Sequence, residues 1–168
     1  KRYAHKAAVM LHRIAEVYPA MDHEPQSRYG TMMRARGLTY PGKVLNAIWE
    51  TGLVKQITAG YDAVWETIDS DLELQAFTGK DGKAIRSFIE ANFLEDALDA
   101  WDQRKVSGNF GMHQSALALL CLVRQYCDND RRLDAMLGQP EGPVLRLGLE
   151  YALYNNVYRD GLPFETSP

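Results

Sequence analysis

The chain has 168 residues, of which 46% are apolar and 24% charged, and its formal net charge is −3. This size and apolar content indicate one folded domain with a real core and exclude a disordered chain. The mildly acidic balance, with scattered Lys and Arg, is not typical of nucleic-acid-binding proteins, which carry a basic excess on one face. No apolar run approaches the roughly 20 residues that a membrane span needs, so we expect none.

Helical periodicity dominates the first half of the chain. The first predicted helix ends at Pro19, and its apolar stripe consists of Ala7, Met10, Leu11, Ile14 and Val17. Residues 23–42 contain three Gly and two Pro and predict an irregular loop. Helical spacing returns over residues 42–68, where Gly52 and Gly60 are expected either to divide the helix or to permit close packing.

The second half continues in the same way. Residues 69–77 begin with capping Asp and Ser and predict a short helix, and residues 81–101 carry apolar side chains in one helical register. The apolar stretch from Met112 predicts a central, buried helix, and two further helices follow over 130–137 and 142–156. With no alternating β pattern, the sequence predicts an all-α fold of about six or seven helices in antiparallel pairs, as in a bundle, a solenoid or an α/α toroid.

The two cysteines, Cys121 and Cys127, lie six positions apart on one predicted helix. They therefore point in different directions and cannot form a disulfide, so we expect buried thiols. No Cys/His cluster has the spacing of metal ligands, and we expect no metal or other cofactor in this segment.

A first candidate site lies in "SGNFGMHQS", at residues 107–115. Asn109, His113 and Gln114 are polar, yet they stand where an apolar helix begins. Burying them costs a few kcal/mol unless they are paired, so they are either functional or satisfied inside the core. In the second interpretation Asn109 caps the helix and His113 packs.

A second candidate site is the closing segment "YNNVYRDGLPFETSP". Phenol, amide, guanidinium and carboxylate groups concentrate here, and Tyr with Asn is a combination that binds sugar hydroxyls by stacking and hydrogen bonding. Local turns and salt bridges are the alternative interpretation of each single residue. The candidate binding residues are Tyr154, Asn155, Asn156, Tyr158, Arg159, Asp160 and Glu165.

This closing segment resembles the heparinase II/III-like polysaccharide lyases, in which an "N…RDG…E.SP.Y" stretch lies at the rim of the catalytic groove. "AEVYPAMD" and "GNFGMHQSALALL" are similar to these proteins in content, order and spacing. The resemblance implies that residues 1–168 form part of one incomplete α/α toroid domain, followed in the parent protein by a β-sandwich domain. Since the chain also lacks an initiator Met, we expect a piece of a longer protein, inactive by itself.

The activity implied by the resemblance is β-elimination on a uronic-acid-containing polysaccharide such as a glycosaminoglycan or alginate. A base removes the C5 proton, and the neighbouring carboxylate must be neutralised for charge to develop. Asn109 is the candidate neutraliser and His113 a candidate catalytic group, although Phe110 stands where some relatives carry His. Gln114 is expected to bind a sugar hydroxyl, and the acid–base tyrosine would fall just beyond Pro168.

Three alternatives remain open. The chain could belong to a carbohydrate-binding relative without activity, to a glycoside hydrolase on an α/α toroid with Asp160 and Glu165 as its carboxylate pair, or to a helical scaffold for protein partners. The resemblance further implies a secreted or periplasmic protein and a structural metal in the sandwich domain.

Overall fold

The structure is a computed structural model that describes residues 2–20, 47–102, 111–124, 129–138, 148–155 and 160, with the backbone alone at 47–50, 100, 113, 151–152 and 155. These residues form helices and turns without any strand, so the all-α prediction is confirmed. The toroidal arrangement stays a prediction. The helices are α1 (Arg2–Val17, extended by a 3-10 turn at Tyr18–Ala20), α2 (Ala47–Ser70), α3 (Leu72–Thr78), α4 (Gly82–Ile89), a π-helical segment (Glu90–Glu95), α5 (Asp96–Asp102), α6 (Met112–Arg124), α7 (Asn129–Leu137) and α8 (Leu149–Asn155).

The chain divides into two compact units, Lys1–Arg124 and Gln125–Pro168. In the described part of the chain, no helix combines the length and the apolar character that crossing a membrane requires. The predicted loop over residues 23–42 lies outside the described residues, as does Cys127, whereas Cys121 is buried on α6 as expected.

Helix α2 is the centre of the first unit and packs against α1, α4 and α6. Its buried side chains recur every three or four residues and make one apolar face: Val54, Ile57, Tyr61, Val64 and Ile68. Each such side chain contributes about 1.5–3 kcal/mol when it is fully buried. The helix runs without interruption through Gly52 and Gly60. No neighbouring atom lies within 4 Å of where a Cβ would stand at either position, so close packing does not require a glycine there.

Helix α1 ends as predicted, since Pro19 lies in the 3-10 turn that follows Val17. Its buried face, however, is formed by Ala8, Leu11, His12 and Ala15, with Tyr18 beyond the end. The predicted stripe was wrong at Met10 and Val17, which are 64% and 40% exposed. Helix α1 carries apolar residues on two faces, and spacing alone does not tell which of them meets the core.

Helices α3 and α4 begin at capping aspartates. The Leu74 N–H donates to Asp71 Oδ1 at 2.9 Å, and the Ala84 N–H donates to Asp81 Oδ1 at 2.7 Å. Helix α3 ends at Gly79, whose φ of 67° is favourable only for a residue without a side chain. Each cap satisfies one N–H in the first turn of its helix.

Residues 82–102 form one continuous helical rod, as the register predicted. One line of its buried side chains follows a spacing of four residues: Ile85, Ile89, Phe93, Ala97 and Trp101. Leu94 and Leu98 are also buried, beside that line. The unpredicted feature is the π-helical segment Glu90–Glu95 inside this rod, where the helical turn widens to i→i+5 hydrogen bonds.

In the second unit, α7 packs against α8. The backbone of Gly148 approaches Gly138 so closely that any side chain at position 148 would collide with the Gly138 carbonyl oxygen. This approach of two glycines sets the start of α8 beside the end of α7.

Candidate functional site

Five of the residues predicted to form the site lie outside the described residues: Asn109, Asn156, Tyr158, Arg159 and Glu165. For His113, in α6, and Asn155, in α8, the structure describes the backbone alone. The described side chains among the predicted residues are therefore Gln114 in the first unit and Tyr154 and Asp160 in the second.

Gln114 serves as a helix cap. Its side chain is 2% exposed, and its Oε1 accepts a hydrogen bond from the Gly111 N–H at 2.7 Å. Gly111 immediately precedes α6, and a Gln three residues later that reaches back to this N–H is the second half of a capping box. This bond satisfies one N–H that the first turn of α6 leaves without a helical partner. The predicted sugar contact of Gln114 stays a prediction.

An open groove of about 460 Å³ lies on the second unit. The described residues that line it come from α8 and from the end of α7: Leu137, Leu149, Glu150, Leu153 and Tyr154. Tyr154 is 77% exposed and Leu153 is 60% exposed, so one wall of the groove is an accessible apolar and aromatic surface. Asp160, in a turn after α8, is also exposed.

The groove combines two kinds of group that carbohydrates require. An exposed tyrosine ring stacks on the C–H face of a sugar, and its hydroxyl donates or accepts a hydrogen bond. Glu150 stands four residues before Tyr154 on α8, which places the two side chains on the same side of the helix. A carboxylate there accepts hydrogen bonds from sugar hydroxyls. Sequence reasoning missed Glu150, although its i, i+4 relation to Tyr154 was a usable signal.

A second cluster of polar groups, also missed from the sequence, lies around the π-helical segment of the first unit. The Tyr61 hydroxyl donates to Glu90 Oε1 at 2.5 Å. Arg124, the last residue of α6, contacts Glu90 Oε2 with Nη1 at 3.3 Å and donates from Nη2 to Glu95 Oε1 at 2.5 Å. We call these four residues the Glu90 cluster.

The π-helical geometry explains how one arginine contacts both glutamates. In an α-helix, residues five apart point about 140° away from each other. In a π-helical turn, residues five apart are joined by the backbone hydrogen bond and lie on the same side of the helix. Glu90 and Glu95 are five residues apart and begin and end the segment, so both can face Arg124.

The Glu90 cluster fixes the protonation state of its tyrosine. Burial, followed by the hydrogen bond and the negative charge of Glu90, raises the pKa of Tyr61 far above its ordinary value. Tyr61 therefore remains a protonated donor, and at 1% exposure it cannot touch a polymer. The arrangement ties α2 and α6 to the π-helical segment.

Among the described residues, no group of three or more His, Cys, Asp or Glu side chains is placed to hold a metal ion. The groove on the second unit is a described surface where a ligand could bind, and its lining contains one residue that the sequence singled out, Tyr154. The chain matches no family model, no curated protein and no solved structure. The heparinase II/III-like resemblance stays a prediction made from the residues.

Proposed function

We propose that this chain is part of a polysaccharide lyase that cleaves uronic-acid-containing acidic polysaccharide by β-elimination. The observation that carries the proposal is the exposed ring of Tyr154 on an open groove. It belongs to the segment whose residues resemble the groove rim of the heparinase II/III-like lyases. Tyr154 would hold a sugar unit of the polymer by stacking.

The proposed reaction places the chemistry on the other predicted segment. A base takes the C5 proton of the uronate, the electron pair forms the C4–C5 double bond, and the C4–O bond breaks as its oxygen receives a proton. Asn109 would donate hydrogen bonds to the uronate carboxylate and so stabilise the enolate-like charge. His113 would exchange a proton with the sugar.

A second candidate function is carbohydrate binding without catalysis, and one observation favours it. Glu150 lines the groove beside Tyr154, and its carboxylate would repel a uronate carboxylate held at the same place. A groove with this lining suits the uncharged face of a sugar unit. A neutral glycan, bound and not cleaved, is the ligand that this alternative predicts.

The test is the ultraviolet absorbance of the intact protein mixed with a panel of uronate polysaccharides. The lyase proposal predicts a rise from the new C4–C5 double bond, and Asn109→Ala should lower the rate by roughly 10²-fold. Tyr154→Ala should lower kcat/KM by about tenfold through lost stacking. Tyr3→Ala is the matched control, since Tyr3 is also a largely exposed tyrosine, at 87%, and lies on the first unit.

Two results would contradict the lyase. A folded protein that gives no absorbance rise on any polymer, yet binds a neutral glycan through Tyr154, is a carbohydrate-binding protein. Cleavage to products that lack a double bond would identify a hydrolase.

A further inference from the structure

Helix α1 presents a second apolar face that the core of the first unit does not cover. Three large side chains on it are exposed, Tyr3 at 87%, Met10 at 64% and Val17 at 40%. Ala7 and Ile14 lie between them and are half-buried. We call these five residues the outer stripe. It runs along nearly the whole helix, over about 21 Å.

The spacing of the outer stripe is that of a helix–helix seam. Its positions alternate in steps of four and three residues, so they repeat every seven residues and stay on one line of the helix. Scattered apolar residues on a surface need no explanation, but a continuous line of this length marks an interaction site. A second helix lying along α1 would cover it.

The charges beside the stripe define the partner further. One edge of the outer stripe is formed by three exposed basic residues, Arg2, Lys6 and Arg13. The other edge adjoins the core of the first unit at the buried Leu11 and Tyr18. Lys6 and Arg13 are seven residues apart, the spacing of edge charges that pair across two helices. Arg13 Nη1 also contacts Glu16 Oε2 at 2.7 Å. Because both side chains are exposed, replacing Glu16 by a carboxylate of the partner costs little free energy.

We propose that the outer stripe of α1 binds an amphipathic helix of a partner protein whose edge carries acidic residues. A second copy of this chain fits less well, because two α1 helices would bring their basic edges together. A lipid surface fits less well too, since it has no reason to require a seven-residue repeat. This interface is independent of the groove on the second unit and of the proposed lyase activity.

The experiment uses two synthetic helical peptides of three heptads with the same Leu seam, one with Glu and one with Lys at the edge positions. Fluorescence anisotropy measures their binding to the intact protein. We expect the Glu peptide to bind about tenfold more tightly than the Lys peptide at low salt. The difference between their dissociation constants should become smaller as salt is added. Met10→Asp should weaken binding at least roughly tenfold. Leu122→Asp is the matched control, because Leu122 is 67% exposed on α6 and should leave binding unchanged.

A charge reversal separates the edge from the seam. The double variant Lys6→Glu/Arg13→Glu should prefer the Lys peptide, while circular dichroism confirms its helical fold. The proposal is overturned if neither peptide binds, if both bind equally, or if Met10→Asp binds as the unchanged protein does. It is also overturned by binding to phosphatidylglycerol-containing vesicles in place of the peptides, or by a dimer in sedimentation that Met10→Asp dissolves.

Discussion

The first unit contains two polar sites, one partly buried and one buried, that differ in how their polar atoms are paired. In the Glu90 cluster, both carboxylate oxygens of Glu90 have partners, Tyr61 and Arg124. At the other site, His12 is 3% exposed and stacks on Phe88 with ring centroids 4.9 Å apart, but its Nε2 has no hydrogen-bond partner among the described residues. The first site loses free energy when a member is removed, whereas the second already carries the cost of an unsatisfied buried group.

The comparison shows that burial of a polar side chain does not have one meaning. A fully paired group specifies how its helices pack, because any other arrangement breaks its hydrogen bonds. An unpaired group contributes its apolar ring and costs the hydration that it lost. Substitutions at the two sites should therefore change stability in opposite directions.

The largest expected effect is at Arg124. Arg124→Met keeps the apolar stem but leaves Glu90 and Glu95 facing each other without the cation. Removing one partner of a fully buried ion pair costs about 3–5 kcal/mol, but these side chains are 18–38% exposed, so we expect a loss of about 2–3 kcal/mol. Urea unfolding at pH 7 measures the loss. Arg2→Met, at an exposed position of α1, should change the free energy of unfolding by less than about 0.5 kcal/mol. A loss no greater at Arg124 than at Arg2 would show that the cluster does not stabilise the fold.

The sequence predicted the rod of residues 82–102 well because its signal is local. A spacing of four residues from Ile85 to Trp101 identified the buried face. The π-helical segment gave no such signal. The side chains that pair with its two glutamates are distant in sequence. Arg124 lies 29 positions after Glu95, and Tyr61 lies 29 positions before Glu90. Pairings across such distances depend on how helices pack, which one sequence does not reveal.

The candidate site shows the same division between local and distant information. The density of polar and aromatic groups after Tyr151 drew attention to Tyr154, and the structure places Tyr154 in the lining of the groove. The cap made by Gln114 was also readable, since Gly111 followed three residues later by Gln is a capping pattern. Leu137 joins the groove from a different helix, and no local pattern connects it with Tyr154.

A smaller effect is expected where a histidine on α1 does have a partner. His5 Nδ1 lies 2.7 Å from Asp71 Oδ2, and Asp71 also caps α3, whereas Asp81 caps α4 through the same geometry without a histidine. Asp71→Ala should cost about 2 kcal/mol and Asp81→Ala about 1 kcal/mol, the difference being the His5 contact. Urea unfolding of both variants at pH 7 measures that difference. Equal losses would mean that the His5 contact adds nothing to the cap.

The pH dependence of Asp71 has a definite sign. Burial raises the pKa of Asp71, but the Leu74 N–H and His5 outweigh burial and hold this pKa below its ordinary value of 3.8. The unfolded chain therefore binds the proton more readily than the folded protein does. The stability that Asp71 contributes is present above pH 3.8 and is lost as the pH falls through the folded-state pKa, so the gap between the two variants should close in acid.

The smallest effect, opposite in sign, is expected at His12. Burial lowers the pKa of His12 below its ordinary value of 6.5; Glu16, whose Oε1 lies 3.8 Å from Nδ1, opposes this lowering, and Lys80 adds to it. The unfolded chain therefore takes up a proton as the pH falls through 6.5, before the folded protein does, and the free energy of unfolding decreases over that interval. Above 6.5 both states are neutral and the penalty is absent.

His12→Phe keeps a ring against Phe88 and removes both the titration and the unsatisfied nitrogen. At pH 7.5 it should be within about 1 kcal/mol of the unchanged protein, on the stable side, and its advantage should grow as the pH falls to 5. Urea unfolding at intervals from pH 8 to pH 5 measures the free energy of unfolding of both proteins, and subtracting the two curves removes the contributions of all groups that they share.

His5→Gln is the control. It removes a histidine from the same helix, and its free energy of unfolding should still decrease with falling pH as His12 predicts. A difference curve that stays flat between pH 8 and pH 5 would show that His12 is satisfied in the folded protein, and the contrast with the Glu90 cluster would then disappear.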